Sequence, residues 1–514
     1  MKNRPTRRDV LKMAGAAGPA ILAARLPTAE GEGPQISPGP FAGTRESLRQ
    51  YRVPEWFRDA KFGIWAHWGP QSSAEYGDWY ARNMYIEGSR QYKYHLEHYG
   101  HPSKVGFKDV ISRWRGERFD PDYLLRLYRK AGAKYFFSMG VHCDNFDLWN
   151  STHHRWNAVK MGPKKDIVGM FRTAARNEGL RFGVSEHLWG SYNWFAVNKG
   201  ADKQGPYAVV PYDGNEPANW DLYHEPHQIP PKPWAEQGNE PVQWKRAWFL
   251  RIKDLLDQYQ PDLLYTDGAL PFGEWGLSLA AHYYNQSTHW RRGRVDVVYT
   301  SKLPSDCEVG TCVLDLERGV VDSLWPRPWQ TDTCVGGWHY NKDAKYKTAK
   351  TCIDLLVDIV SRNGNLLLNF PLRSDGTLDD AELSIVAEIT QWMTVNSEAI
   401  YSTRPWKIFG DGPGSQTSVA TAHFNESKRK DLTADDARFT VKGNVLYAFS
   451  MGWNPGQTLF AALAPQRKLF SGKIRHVELL GYPGKLKWTH ADDGLRIRMP
   501  ERKPCDHAVV FKIA

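Results

Sequence analysis

The chain has 514 residues, with 67 Lys and Arg against 57 Asp and Glu and a formal net charge of +10. That length calls for two or three domains, and 41% hydrophobic with 24% charged residues excludes a disordered or fibrous chain. No apolar run reaches the roughly 20 residues of a membrane-spanning helix, and no Lys/Arg block concentrates charge as nucleic-acid binding requires.

The first stretch reads as an address. Residues 1–30 carry Lys2, Arg4, Arg7, Arg8, Lys12 and Arg25 against only Asp9 and Glu30. Thr6-Arg7-Arg8-Asp9-Val10-Leu11-Lys12, followed by the apolar stretch 13–24, is similar to a twin-arginine export signal. The expectation is a signal peptide over 1–30, a linker over 31–49, and a mature protein in the periplasm or beyond.

From 50 to 399, helix-like segments alternate with apolar runs. Ala60-Lys61-Phe62-Gly63-Ile64-Trp65-Ala66-His67 reads as a buried strand. A helix over 120–132 precedes a strand over 133–139, a helix over 167–179 precedes a strand over 180–185, and a helix over 246–259 precedes 261–267. Repetition of this unit predicts a parallel sheet closed into a (β/α)8-like TIM barrel, whose chemistry sits at the carboxyl ends of the strands. His67, His142, Glu186 and Asp267 fall at those predicted ends. Residues 196–243, rich in Pro, Gly and Asn with Trp220, Tyr223 and Trp234 embedded, interrupt the pattern. They read as a long structureless insertion, either a functional loop or lid or a solvated decoration.

After 400 the runs become short and alternating, at 438–442, 444–450, 473–480, 485–488, 495–499 and 507–513. Gly, Pro and Asp punctuate them, which predicts an antiparallel β-sandwich over 400–514, a supporting domain without a catalytic constellation. Six cysteines (143, 307, 312, 334, 352 and 505) form no CxxC pair and match no zinc spacing, so no structural metal is expected.

Two carboxyl groups flanking a bond are the usual equipment for glycosidic cleavage, and Trp faces stack on sugar rings. The chain holds 22 Trp. Asp267 ends the apolar run Leu263-Leu264-Tyr265-Thr266 and precedes Gly268. His67, His142 and the Asp78-Trp79-Tyr80 loop share the predicted rim with it.

Residues 60–69, Ala131-Gly132-Ala133-Lys134-Tyr135, 142–149, 179–183, 261–268, 363–369 and 396–401 together resemble glycoside hydrolase family 29, the α-L-fucosidases. The resemblance runs in order from about 50 to 405. It implies a retaining mechanism on a terminal α-L-fucosyl unit, with Asp267 as nucleophile, no cofactor, and a fucosylated or related oligosaccharide as substrate. Glu317, in Leu314-Asp315-Leu316-Glu317-Arg318-Gly319, best matches the acid/base, with Glu274 and Glu308 as alternatives. His67, His142, Asp78 and Trp79 match sugar-binding positions, and Trp338 or His339 supplies a wall.

Five departures alter the pocket relative to that family. Cys143 stands where a second His is usual, Ser185-Glu186 where a Tyr pair is usual, and Tyr265 where a Trp is. Asp78 replaces a Glu and Lys302 an Arg, and the last pair is not equivalent for bidentate contacts. Glu186 either binds a hydroxyl that 6-deoxy fucose lacks or is a salt-bridged structural residue. The alternatives to a fucosidase are a glycosidase for a related sugar such as L-galactose, a non-hydrolytic carbohydrate-binding barrel, and a metal-dependent hydrolase using His67, His142 and Cys143. The 196–243 loop is expected to set much of the aglycone preference.

Overall fold

Eight short apolar runs form the centre of the molecule: β1 (Phe62–Ala66), β2 (Tyr135–Val141), β3 (Arg181–Glu186), β4 (Leu263–Thr266), β5 (Val298–Ser301), β6 (Val313–Asp315), β7 (Trp329–Cys334) and β8 (Gly364–Asn369). They pair in sequence order, all parallel, and β1 closes on β8 to complete a barrel. The computed structural model describes residues 33–230, 240–308, 310–416 and 419–514. The export-like segment at 1–30 lies outside the described residues.

The connecting helices begin and end where local chemistry dictates. In the helix Pro121–Lys130, Asp120 accepts a hydrogen bond from the Tyr123 amide, Pro121 occupies the first helical position, and Gly132 at φ +102° turns the chain into β2. Helix Ile167–Asn177 is capped by Asp166 in the same way. Its buried face (Val168, Phe171, Ala175) packs against the outside of the barrel.

Strand parity decides what each side chain faces. Trp65, Tyr135, Phe137, Leu263, Tyr265, Val298, Val313 and Leu367 point into the lumen and form one core. Their neighbours Ile64, Phe136, Phe182, Val184, Leu264, Tyr299 and Leu366 point outward into the helix layer and form another. β2 changes step between Met139 and Val141, a bulge around Gly140. A Cβ there would lie 3.1 Å from the Ser185 carbonyl oxygen.

The segment 196–243 is not structureless. Its described part folds into short helical turns at Phe195–Lys199, Asp213–Asn215, Pro217–Asn219 and Trp220–Tyr223. Two carboxylates pin it: Asp202 accepts from Tyr92 and Tyr212 (2.6 Å for the latter), and Asp213 accepts from Tyr85 and Tyr223, both at 2.7 Å. Sequence periodicity carries no trace of such Tyr–Asp anchoring. Trp234 lies outside the described residues.

Beyond the barrel come β9 (Arg404–Asp411), β10 (Ala437–Lys442), β11 (Val445–Ser450), β12 (Gln457–Phe460), β13 (Val477–Leu479), β14 (Lys487–Ala491), β15 (Gly494–Arg498) and β16 (Val509–Ile513). They form an antiparallel five-stranded sheet, ordered β13-β16-β11-β10-β9, and a three-stranded one, β12-β15-β14. The two share a core that includes Phe439, Phe460, Leu495, Ile497 and Phe511. Buried Asp358, on the barrel helix Ala349–Ser361, bonds Arg362 of the barrel and Arg429 and Arg438 from beyond it. Although burial opposes its charge, those guanidinium groups hold its carboxyl far below the usual range. Trp392 adds a bond to the Ala508 carbonyl at 2.7 Å. Among the described residues no helix is long and apolar enough to cross a membrane.

Candidate active site

The carboxyl ends of the strands open onto a cavity of ≈ 610 Å³, within the range of about 300–1,000 Å³ usual for ligand sites. Of the residues singled out from sequence, His67, Asp78, Trp79, His142, Cys143, Tyr265, Asp267, Lys302, Glu317 and Trp338 line it. Parity explains the convergence. His67 continues the inward set of Trp65, Asp267 that of Tyr265, and Glu317 that of Val313, while the Gly140 bulge brings His142 into the same phase.

Lys302 sits between the two carboxylates. Its Nζ lies 2.6 Å from Asp267 Oδ1 and also bonds Glu317 Oε2. Burial opposes the ammonium charge, but Asp267, Asp332 and Glu317 outweigh it and keep the amine protonated well above its ordinary range. On the other side of Asp267, His187 Nδ1 donates to Oδ2 at 2.9 Å. The Tyr265 hydroxyl lies 3.3 Å from Asp267 Oδ1 and 3.2 Å from Asp332 Oδ2.

These surroundings drive the two carboxyls apart. Asp267 would be raised by burial, yet Lys302 and His187 hold it well below the usual carboxylate range. Its side chain is 35% exposed, and what it is exposed to is the cavity. Glu317, 18% exposed, is pushed up to about 7 by burial, with Asp267 and Asp332 adding to the rise and Lys302 opposing it. Near neutrality one carboxyl is ionised while the other still holds a proton for part of the time.

The floor is a cluster of imidazoles. His67, His142, His187 and His339 pack ring to ring at 4.6–5.2 Å. Burial and the neighbouring imidazoles hold His67 and His142 well below their ordinary range, so both are neutral. Both ring nitrogens of His67 and Nε2 of His187 and His339 are buried without a hydrogen-bond partner. At His67 and His187, which line the cavity, such open polar atoms mark where ligand hydroxyls fit. His142 Nδ1 is bonded to Gln71 at 2.8 Å and His339 Nδ1 to Asp78 Oδ1 at 2.6 Å. His67, Asp78, His142 and His339 also offer ligand atoms all within 4.8 Å of one another, a set able to hold a divalent ion. Cys143 is not in that set, since its thiol donates to the His187 carbonyl at 3.1 Å.

Two residues expected at the site stay out of the cavity. His339 lies fully buried behind Asp78 and orients it. Glu186 is the larger correction, because it does not line the cavity and, among the described residues, forms no salt bridge. It follows Val184 in outward phase, fully buried, accepting from Thr266 Oγ1 (2.8 Å), Trp248 Nε1 (3.2 Å) and the Trp189 amide (3.4 Å). The next residue, His187, points inward instead. It supplies the imidazole that the His-to-Cys departure at 143 was expected to remove.

Sequence reasoning also missed Trp65, Trp189, Trp194, Asp332 and Phe424 in the cavity wall. Trp65 and Asp332 were within reach of a parity argument on β1 and β7, whereas Phe424 comes from beyond the barrel and carried no signal. None of the described residues of 196–243 lines the cavity. Of the alternative acids, Glu274 is exposed at the start of a helix away from the cavity. The Glu308 side chain lies outside the described residues.

A parallel barrel opening on two unequally protonated carboxyls, neutral imidazoles and Trp faces is the equipment of a glycoside hydrolase. The chain belongs to the α-L-fucosidase family: the profile described as "Alpha-L-fucosidase" matches residues 31–398, and "Alpha-L-fucosidase C-terminal domain" matches 429–514. Among curated proteins it is 26% identical to human tissue alpha-L-fucosidase over 503 residues, covering 95% of this chain and 94% of that one. It is also 26% identical to human plasma alpha-L-fucosidase over 486 residues, 90% of each chain. Among solved structures, Thermotoga maritima alpha-fucosidase in complex with fucose superposes with a TM-score of 0.70 at 24% identity, over 92% of this chain and 100% of that one. Alpha-L-fucosidase isoenzyme 1 from Paenibacillus thiaminolyticus gives 0.62 at 19% identity, over 91% and 99%.

Proposed function

We propose that the protein removes terminal α-L-fucosyl units from glycans by double displacement, with Asp267 as nucleophile and Glu317 as acid/base. The observation that carries this reading is the pair of carboxyls bonded to one Lys302 ammonium, one ionised and the other raised to about 7. Two oxygens bonded to the same nitrogen lie within roughly 5–6 Å of each other, which suits the spacing of about 5–5.5 Å in a retaining pair.

Glu317 protonates the glycosidic oxygen as Asp267 attacks the anomeric carbon, forming a glycosyl ester. Glu317, now a carboxylate, takes a proton from water, which cleaves that ester and restores both groups. His67, His142, His187 and Asp78 receive the sugar hydroxyls. The family match and the human relatives favour fucose as the sugar. Glu186 was the feature that pointed to a 6-hydroxylated sugar, and from outside the cavity it lends that alternative no support.

The test is hydrolysis of aryl α-L-fucoside beside aryl α-L-galactoside, with the first-formed anomer read by NMR. Faster release from the fucoside with α-L-fucose formed first is expected; β-L-fucose formed first overturns the mechanism, and faster release from the galactoside overturns the sugar assignment. We also propose export, on the Arg7-Arg8 motif and its apolar follower. Replacing both arginines with lysine retains activity inside the cell if that holds; unchanged secretion overturns it.

A further inference from the structure

We propose that Phe424 is the platform for the leaving group, an aglycone subsite supplied by chain that follows the barrel. The inference rests on the reading of Glu317 as the acid. A general acid must face the oxygen it protonates, so the group carried by that oxygen leaves on the acid's side of the cavity. The surface waiting there is the Phe424 ring, which lines the cavity and is 56% exposed.

The placement is built. The Phe424 amide donates to the Glu317 carbonyl at 2.8 Å, and the Glu317 amide donates to His423 Nδ1 at 3.0 Å. Because Nδ1 accepts, His423 carries its proton on Nε2, which donates to the Lys302 carbonyl at 3.0 Å. One neutral imidazole thus ties together the backbones of the two residues that hold the reacting proton and its counter-charge. Asn425 locks the same segment with a reciprocal pair of bonds to the Val320 amide and carbonyl, each 2.8 Å.

Phe424 itself is held at φ +54°, a left-handed conformation that a bulky residue adopts only when its surroundings enforce it. The enforced backbone keeps a large apolar ring in solvent at the cavity mouth, where burial would otherwise be favoured. A phenyl ring has no hydrogen-bonding group and recognises a flat apolar face, so the ligand class is a pyranose or aryl ring joined to the departing oxygen.

The experiment compares α-L-fucosyl fluoride, whose leaving group has no ring, with a disaccharide of fucose α-linked to a hexopyranose. In Phe424→Ala the ratio of kcat/KM for the disaccharide to that for the fluoride falls about tenfold, as loss of one stacking contact predicts. Phe424→Trp restores it. An unchanged ratio in Phe424→Ala overturns the subsite even if both rates drop. Failure of the wild type to hydrolyse the fluoride overturns the underlying fucosidase reading, a separate result from a change in ratio.

Discussion

Asp267 and Glu317 bond the same nitrogen, Lys302 Nζ, yet stand on opposite sides of their ordinary protonation ranges. Burial raises both and is the largest cause of the rise in Glu317, and the second neighbour of each widens the gap. Asp267 also accepts from His187, while Glu317 meets the repulsion of Asp267 and Asp332. One cation therefore serves both residues without making them alike.

If Asp267 is the nucleophile, Asp267→Gly loses activity on aryl α-L-fucoside by about 10⁴-fold or more. Azide then enters from the face the carboxylate vacated, and the product is the β-L-fucosyl azide. Glu317→Gly with azide gives the α-azide instead, because the glycosyl ester still forms. NMR of the two products checks the assignment, and identical anomers from both variants would contradict it.

The pH profile follows from the same pair. Glu317 must be protonated for the first step, and its raised value of about 7 places the alkaline limb near neutrality. Above that limb kcat/KM falls about tenfold per unit for one ionisation. Asp267, held low, keeps the acid limb below the ordinary carboxylate range. A profile with a flat alkaline side to pH 9 would contradict the role of Glu317.

Lys302→Met removes the shared cation. Both carboxyls then bind protons more readily, so both limbs move to higher pH and kcat/KM falls by about 10²-fold. Activity against pH on an aryl fucoside with a good leaving group measures the shift; a loss of rate with unmoved limbs would mean that Lys302 acts only by packing.

Adjacent residues at the end of β3 give opposite phenotypes. Glu186→Ala strands the Thr266 and Trp248 donors and costs about 2–4 kcal/mol of stability, with KM little changed in the folded fraction. His187→Ala leaves the melting temperature close to wild type and lowers kcat/KM by about 10²-fold. Thermal melts beside kinetics separate the two.

The imidazole cluster can be tested for metal directly. Sugar hydroxyls are the proposed occupants at His67, Asp78 and His142, so dialysis against a chelator leaves kcat/KM unchanged. Added Zn²⁺ inhibits competitively with the fucoside, since the same ligand atoms lie within 4.8 Å of one another. Loss of activity on chelation, restored by one divalent ion, would overturn the metal-free reading.

The barrel was legible because its helix–strand units repeat, with Gly132 and Gly179 marking the turns. Most of the site was legible because it lies at strand ends. Glu186 was misplaced for a reason that parity explains: an ionisable residue at a strand end is only half a signal until its phase is fixed against Gly183 and Ser185. His142 shows the limit of that rule, since the bulge at Gly140 reverses the phase without any change of residue class. The fixed loop at 196–223 and the contribution of Phe424 depend on contacts between segments far apart in sequence, which no local pattern encodes.

The hydrogen bonds that join His423 to the backbones of Glu317 and Lys302 have a consequence for when the protein becomes an enzyme. Residues 421–426 leave the ribosome after all eight barrel strands, with β10 to β16 following them in turn. A nascent chain that ends at β8 holds every barrel strand and lacks the brace on its acid. Competence for turnover therefore waits on chain made after the barrel, and a messenger cut short after β8 would encode a site with an unfinished rim.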